Sequence, residues 1–210
     1  MRQLLLLTTL VSSTGAYSAE PDPPTSVLDL VRQAQAKATA REWAEAAALW
    51  DRVVRLNPVQ PSYWYSLADA RYQAKDYKAA IPAYQKAADL GGPMMGAYFA
   101  IYNIACCHAL AGDKEAAVRE LARALELGFP NLGHPARDPD LASVRDDPRV
   151  IDLLGLKDVS KMSRDEGWRY DLSILAREVR RKGFNPRLSV HRPVTVEQFD
   201  AKVRELDAAI

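Results

Sequence analysis

Residues Pro61–Leu90 read P-S-Y-W-Y-S-L-A-D-A-R-Y-Q-A-K-D-Y-K-A-A-I-P-A-Y-Q-K-A-A-D-L. Apolar residues recur three and four apart on either side of Lys75-Asp76. That spacing places them on one stripe of a helix, so the stretch reads as two amphipathic helices joined by a tight turn. Ala68 on the first helix and Ala80 on the second let the two backbones approach closely, while Trp64, Leu67 and Tyr84 fill the remaining space. One such hairpin cannot bury its own apolar face, so copies must stack.

Copies are present at a period of about 34 residues. Tyr98–Leu127 aligns Ile104-Ala105 with Leu67-Ala68, Asp113 with Asp76, Ala117 with Ala80, Leu121 with Tyr84 and Ala124 with Ala87. Its turn falls at Gly112-Asp113. An earlier copy is half legible in Arg41–Pro58, where Trp43, Ala46, Trp50, Val53 and Pro58 fall in register. Ser26 with Asp29 gives that copy a capping-box start. After Leu127 the repeat gives way to the turn-rich G-F-P-N-L-G-H-P-A-R, Gly128–Arg137. Asp147-Pro148 then starts a helix, an acidic cap before a proline at the first helical position. Leu141, Val144, Val150, Leu153 and Leu154 can cover the end of the stack. The expected fold is all-α: an α–α superhelix of about three helical hairpins, a capping helix and a C-terminal helical pair.

Trp64, Leu67, Ala68, Tyr72, Ala80, Tyr84 and Ala87 occupy the pattern positions of the tetratricopeptide repeat, which this chain resembles from about Val27 to Leu154. Two departures stand out. Gly91-Gly92 replaces the usual closing proline, with a small insertion over Gly91–Ala97. In the first copy, Gln33 and Lys37 sit where larger or apolar residues are usual. The resemblance implies that the first helix of each hairpin lines a concave groove. It assigns to that groove Ser62, Tyr65, Asp69 and Tyr72, then Phe99, Tyr102, Cys106 and Ala109, with Asn103 also in reach. The surface is aromatic with little charge and suits an extended peptide or an apolar helix of a partner protein. The same tyrosines could instead pack between repeats.

The chain has 210 residues and a formal net charge of +1, room for one sizeable domain with an extension and no general attraction for polyanions. Residues 1–19 are expected to be a secretory signal peptide. Arg2 is the only charge, Leu4–Val11 is a short apolar run, and Ala16-Tyr17-Ser18-Ala19 offers small residues for cleavage. Residues 20–26 are expected to form a disordered entry, and no later stretch is a transmembrane span. The mature chain is therefore expected to be exported, periplasmic or secreted. Its two cysteines, Cys106 and Cys107, are adjacent, and helical neighbours cannot reach good disulfide geometry; they read as buried thiols.

No catalytic constellation, cofactor motif or metal set is expected. His108, His134 and His191 lie far apart, and the glycines at Gly91-Gly92 and Gly96 fit no phosphate-binding motif.

Residues 155–162 read as a linker and 163–210 as a helical extension. Ser163 with Asp165-Glu166 starts a helix with Trp168, Leu172, Leu175 and Val179 on one face, with Trp168 available to anchor it near Leu153 and Leu154. Thr195 with Gln198 caps a second helix bearing Phe199, Val203, Leu206 and Ile210. The basic link Arg177–Arg192 offers a secondary polyanion reading, against that of a solvated linker. This last quarter is similar to the helical lead-in of secreted serine peptidases related to the tail-specific, C-terminal-processing proteases. No residue here matches that family's catalytic positions. Ile210 falls on an apolar face, which makes an incomplete protein an expectation as well. The leading expectation is an exported, non-catalytic module that binds a peptide or protein; the alternative is the non-catalytic N-terminal part of such a peptidase.

Overall fold

The computed structural model describes residues 26–91, 96–181 and 195–210. The expected signal segment and all of the entry but Ser26 lie outside the described residues, as do residues 182–192 of the basic link. Among the described residues there are helices and no strands. They are α1 (Val27–Thr39), α2 (Trp43–Leu56), α3 (Pro61–Gln73), α4 (Tyr77–Gly91), α5 (Ala97–Leu110), α6 (Lys114–Glu126), α7 (Pro148–Leu153), α8 (Arg164–Arg181) and α9 (Val196–Ala209). None of the described helices is long and apolar enough to cross a membrane.

The first six helices form three hairpins, and each helix packs on the next in chain order. This is the quasi-linear stacking that an amphipathic repeat requires. Ala34, Ala46, Ala68, Ala80, Ala105 and Ala117 are all fully buried where the helices meet. A larger side chain at these positions would hold the backbones apart. Arg71 links neighbouring hairpins: its guanidinium donates to the Ala79 carbonyl (3.1 Å) and to Asp51 of α2 (3.3 Å).

The three hairpin turns share one construction. Arg41, Lys75 and Gly112 occupy equivalent positions, and each has a positive φ of 61°, 63° and 85°. In each, the next residue's N–H donates back across the helix end at 2.9 Å: Glu42 to the Lys37 carbonyl, Asp76 to Arg71, Asp113 to His108. This pairing satisfies carbonyls that the helix end leaves orphaned. Only the third turn uses the residue that adopts this conformation without steric cost. Arg41 and Lys75, both exposed, adopt it within turns closed by these backbone hydrogen bonds.

Beyond α6 the chain turns at Gly128, again with positive φ (95°), and doubles back. Pro139–Leu141 forms a single 3₁₀ turn capped by Asp138, which accepts from the Asp140 N–H at 3.0 Å, and this turn packs on α5. Leu141, Val144, Val150 and Leu154 are buried and close the end of the stack. Asp147 caps α7 by accepting from the Arg149 N–H at 2.9 Å, and Pro148 takes the first helical position. The Arg149 guanidinium spans to Glu115 of α6 with two bonds of 2.7 and 2.9 Å.

α8 starts with a reciprocal cap: Ser163 N–H donates to Glu166 (2.8 Å) and Glu166 N–H to the Ser163 hydroxyl (3.3 Å). Its anchoring face differs from the expected one. Trp168 is 56 % exposed and Leu175 is exposed too, so Trp168 does not anchor the helix. The contacts with the stack come from other residues. Ala176 is buried, Arg177 donates to the Asp152 carbonyl at 2.9 Å, and Ile174 lies beside the Gly155 turn. α8 packs lightly on α6 and on α9, with Arg169 near Asp207 at 3.7 Å.

Candidate protein-binding face

α3 and α5, the first helices of the second and third hairpins, carry the groove positions. The structure divides these residues into two sets. Ser62 is exposed, Tyr65 and Asp69 are half-buried, and Phe99 is exposed. Tyr65 is fixed in place: its ring meets the buried Tyr84 edge-on at 5.3 Å, and its hydroxyl oxygen accepts from the half-buried Asn103 side-chain amide at 2.8 Å. Burial pushes its hydroxyl pKa up. Partial burial also pushes the Asp69 carboxyl above the usual carboxylate range, with a hydrogen bond from Gln73 opposing the shift.

The second set is covered. Tyr102 is 4 % exposed and Cys106 is 2 % exposed, so neither lies open on a groove. Ala109 is buried as well, and its carbonyl accepts from the Ser143 hydroxyl at 3.1 Å. The covering element is the chain's own segment after α6. Phe129 stacks on Tyr102 with ring centroids 4.5 Å apart and 22° between planes. It also meets Phe99 edge-on at 5.7 Å. The Tyr102 hydroxyl donates to Asp138, and that of the half-buried Tyr72 donates to Asp140. Burial, joined by these neighbouring carboxylates, raises both tyrosine pKa values far above the ordinary one.

Phe129, Asp138 and Asp140 are therefore the residues that decide which part of the face is open. Sequence reading treats their segment only as a turn-rich stretch before the cap. An aromatic residue directly after Gly128 was the one available signal.

Two shallow depressions flank Tyr65. One, between α3 and α5, is lined by Ser62, Tyr65, Ser66, Ala97 and Ala100 together with the end of α4. The other, between the first two hairpins, is lined by Gln35, Thr39, Trp43, Trp50, Tyr65 and Asp69 among others. Trp43 and Trp50 belong to α2, a second helix, and for that reason fell outside the groove positions assigned from sequence.

Cys106 and Cys107 are free buried thiols. Burial pushes the Cys107 pKa up to about 12, and Cys106 is raised further. Because the thiolate is the reactive form, both are expected to resist iodoacetamide at pH 8 in the native state and to react once the chain is unfolded in urea. Mass spectrometry before and after denaturation checks this; native labelling at the rate of a free thiol would contradict the burial. Among the described residues, no group of His, Cys, Asp and Glu could hold a metal ion.

No curated protein matches this chain. Residues 31–93, a span that begins within α1 and takes in α2, α3 and α4, match the family model of the tetratricopeptide repeat, and the chain is an all-α stack that carries a repeat of this type.

Proposed function

We propose that this protein is an exported, non-catalytic interaction module that holds an extended peptide or protein segment on the open half of its first-helix face, around Tyr65. The observation that carries the reading is the setting of Tyr65. Tyr84 and Asn103 immobilise its ring and hydroxyl, yet a depression opens on either side of it. An aromatic ring that is already ordered gives contact area at little further entropic cost. Asn103 acts as a positioning residue through Tyr65. The other half of the face, at Tyr72, Tyr102 and Cys106, is taken up by the chain's own Phe129–Leu141 segment. Export rests on the sequence of residues 1–19, and cell fractionation with intact-mass analysis of the mature chain tests it.

Binding is tested with a peptide selected against the full chain by phage display. Tyr65→Ala should weaken its capture about tenfold or more, the scale of an interface hot spot, with helicity retained. Tyr102→Ala is unsuitable for this purpose, because a buried ring that is removed destabilises the stack whatever it binds. An unchanged affinity in Tyr65→Ala would remove the proposal's basis.

A second reading is favoured by Trp168, Leu175, Val196 and Leu206, large apolar residues exposed on α8 and α9. In it, this helical pair leads into a further secreted peptidase domain, as its resemblance implies. The reading frame after codon 210 decides between the two: a downstream serine peptidase domain supports this one, and a stop codon there overturns it.

A further inference from the structure

We propose that the depression between the first two hairpins is a subsite for a cationic side chain, arginine in preference to lysine, of an extended peptide. This rests on the reading that the face around Tyr65 binds such a peptide, and it adds which peptides are chosen.

The depression has a volume of about 440 Å³, within the range of small-ligand sites, roughly 300–1,000 Å³. Its lining combines the half-buried rings of Trp43 and Tyr65, and the buried Trp50 behind them, with a single carboxylate, Asp69. Gln35, Thr39 and Ser66 supply uncharged hydrogen-bonding groups, and no lysine or arginine lines it. Asp69 takes part in no ion pair among the described residues; the neighbouring polar group that steadies it, Gln73 one turn further along α3, carries no charge.

A half-buried carboxylate without a counter-ion is a costly arrangement that a bound cation would relieve. The aromatic rings favour the same ligand, because indole and phenol faces attract cations through their quadrupoles. Guanidinium fits better than ammonium. It is planar and weakly hydrated, so it can lie on a ring while donating to a carboxylate at its edge. The one lysine of the first hairpin, Lys37, is already paired with Glu42 and Glu45. The Tyr65 hydroxyl accepts from Asn103, so its own hydrogen can point to a peptide carbonyl. One ring would then serve both the cation subsite and the backbone beside it.

The test uses the full chain with ¹⁵N-labelled tryptophan and two capped pentapeptides, acetyl-Ala-Ala-Arg-Ala-Ala-amide and its citrulline counterpart. Citrulline keeps the shape and removes the charge. The arginine peptide should shift the indole signals of Trp43 and Trp50 saturably, with a Kd at least tenfold below that of the citrulline peptide. Asp69→Asn should abolish that difference while circular dichroism shows the stack intact. Equal affinities for the two peptides, both lost in Tyr65→Ala, would overturn the cation subsite and leave peptide binding at this face standing. Shifts at neither indole, with no dependence on Tyr65 for either peptide, would overturn both. If Asp69→Asn unfolds, the comparison of the two peptides on the unmodified chain decides alone.

Discussion

Replacing Phe129 with alanine is expected to lower the unfolding free energy by about 3–5 kcal/mol, the usual cost of deleting a buried aromatic ring. Phe129 is 3 % exposed. It stacks on Tyr102 and meets Tyr98 and Phe99 edge-on at 6.1 and 5.7 Å, so three rings lose a common partner at once. Aromatic pairs of this geometry contribute beyond their buried area. The effect should also be local in a way that can be seen. Phe129 ties the segment after α6 to α5, and the Tyr72–Asp140 and Tyr102–Asp138 hydrogen bonds depend on that segment staying in place. In Phe129→Ala, Cys106 should therefore become open to iodoacetamide under conditions where the unmodified chain protects it. Urea denaturation gives the first result and timed alkylation the second. A stability loss below about 1 kcal/mol would show that the segment is not packed on that face.

Leu67→Ala is expected to have an effect of similar size, about 2–5 kcal/mol. Leu67 is 0 % exposed on α3, and α3 packs against both α2 and α4. The flanking Ala68 and Ala80 are fully buried and too small to fill the space left behind, so the cavity would persist. In a stacked repeat each hairpin depends on its neighbours, and a defect in the second hairpin weakens the interfaces on both sides. Hydrogen exchange should accordingly accelerate in α2 and α4 as well as in α3. Leu28→Ala is the control: Leu28 is an exposed leucine of α1, and its loss should change stability by no more than about 0.5 kcal/mol. If the two variants melt alike, Leu67 is not at the centre of the stack.

Much of the architecture is legible in single residues. Lys75-Asp76 and Gly112-Asp113 mark two hairpin turns, and Arg41 one repeat earlier adopts the same left-handed backbone without any glycine to announce it. Asp147-Pro148 starts α7, and Thr195 with Gln198 forms the expected capping box of α9. These features depend on a few neighbouring residues, so their chemistry can be read in place. The resemblance to the tetratricopeptide repeat puts Ser62, Tyr65, Asp69 and Phe99 on the first-helix face, and the structure leaves them exposed or half-buried there.

The remainder was decided by contacts between distant residues. Helical spacing puts Tyr65 and Tyr102 at equivalent positions of successive repeats, yet one borders two depressions and the other is stacked beneath Phe129. Trp168 has the spacing of a core residue and stands in solvent, while Arg177 and Ile174 of the same helix meet the stack. By itself the sequence determined the helices, their apolar stripes and the need to stack them, because periodicity and turn chemistry act over a few residues. Only the tertiary structure decided which stripe is covered and by what, because that choice is a competition among all apolar surfaces for burial, and the segment that won at Tyr102 lies beyond the repeat.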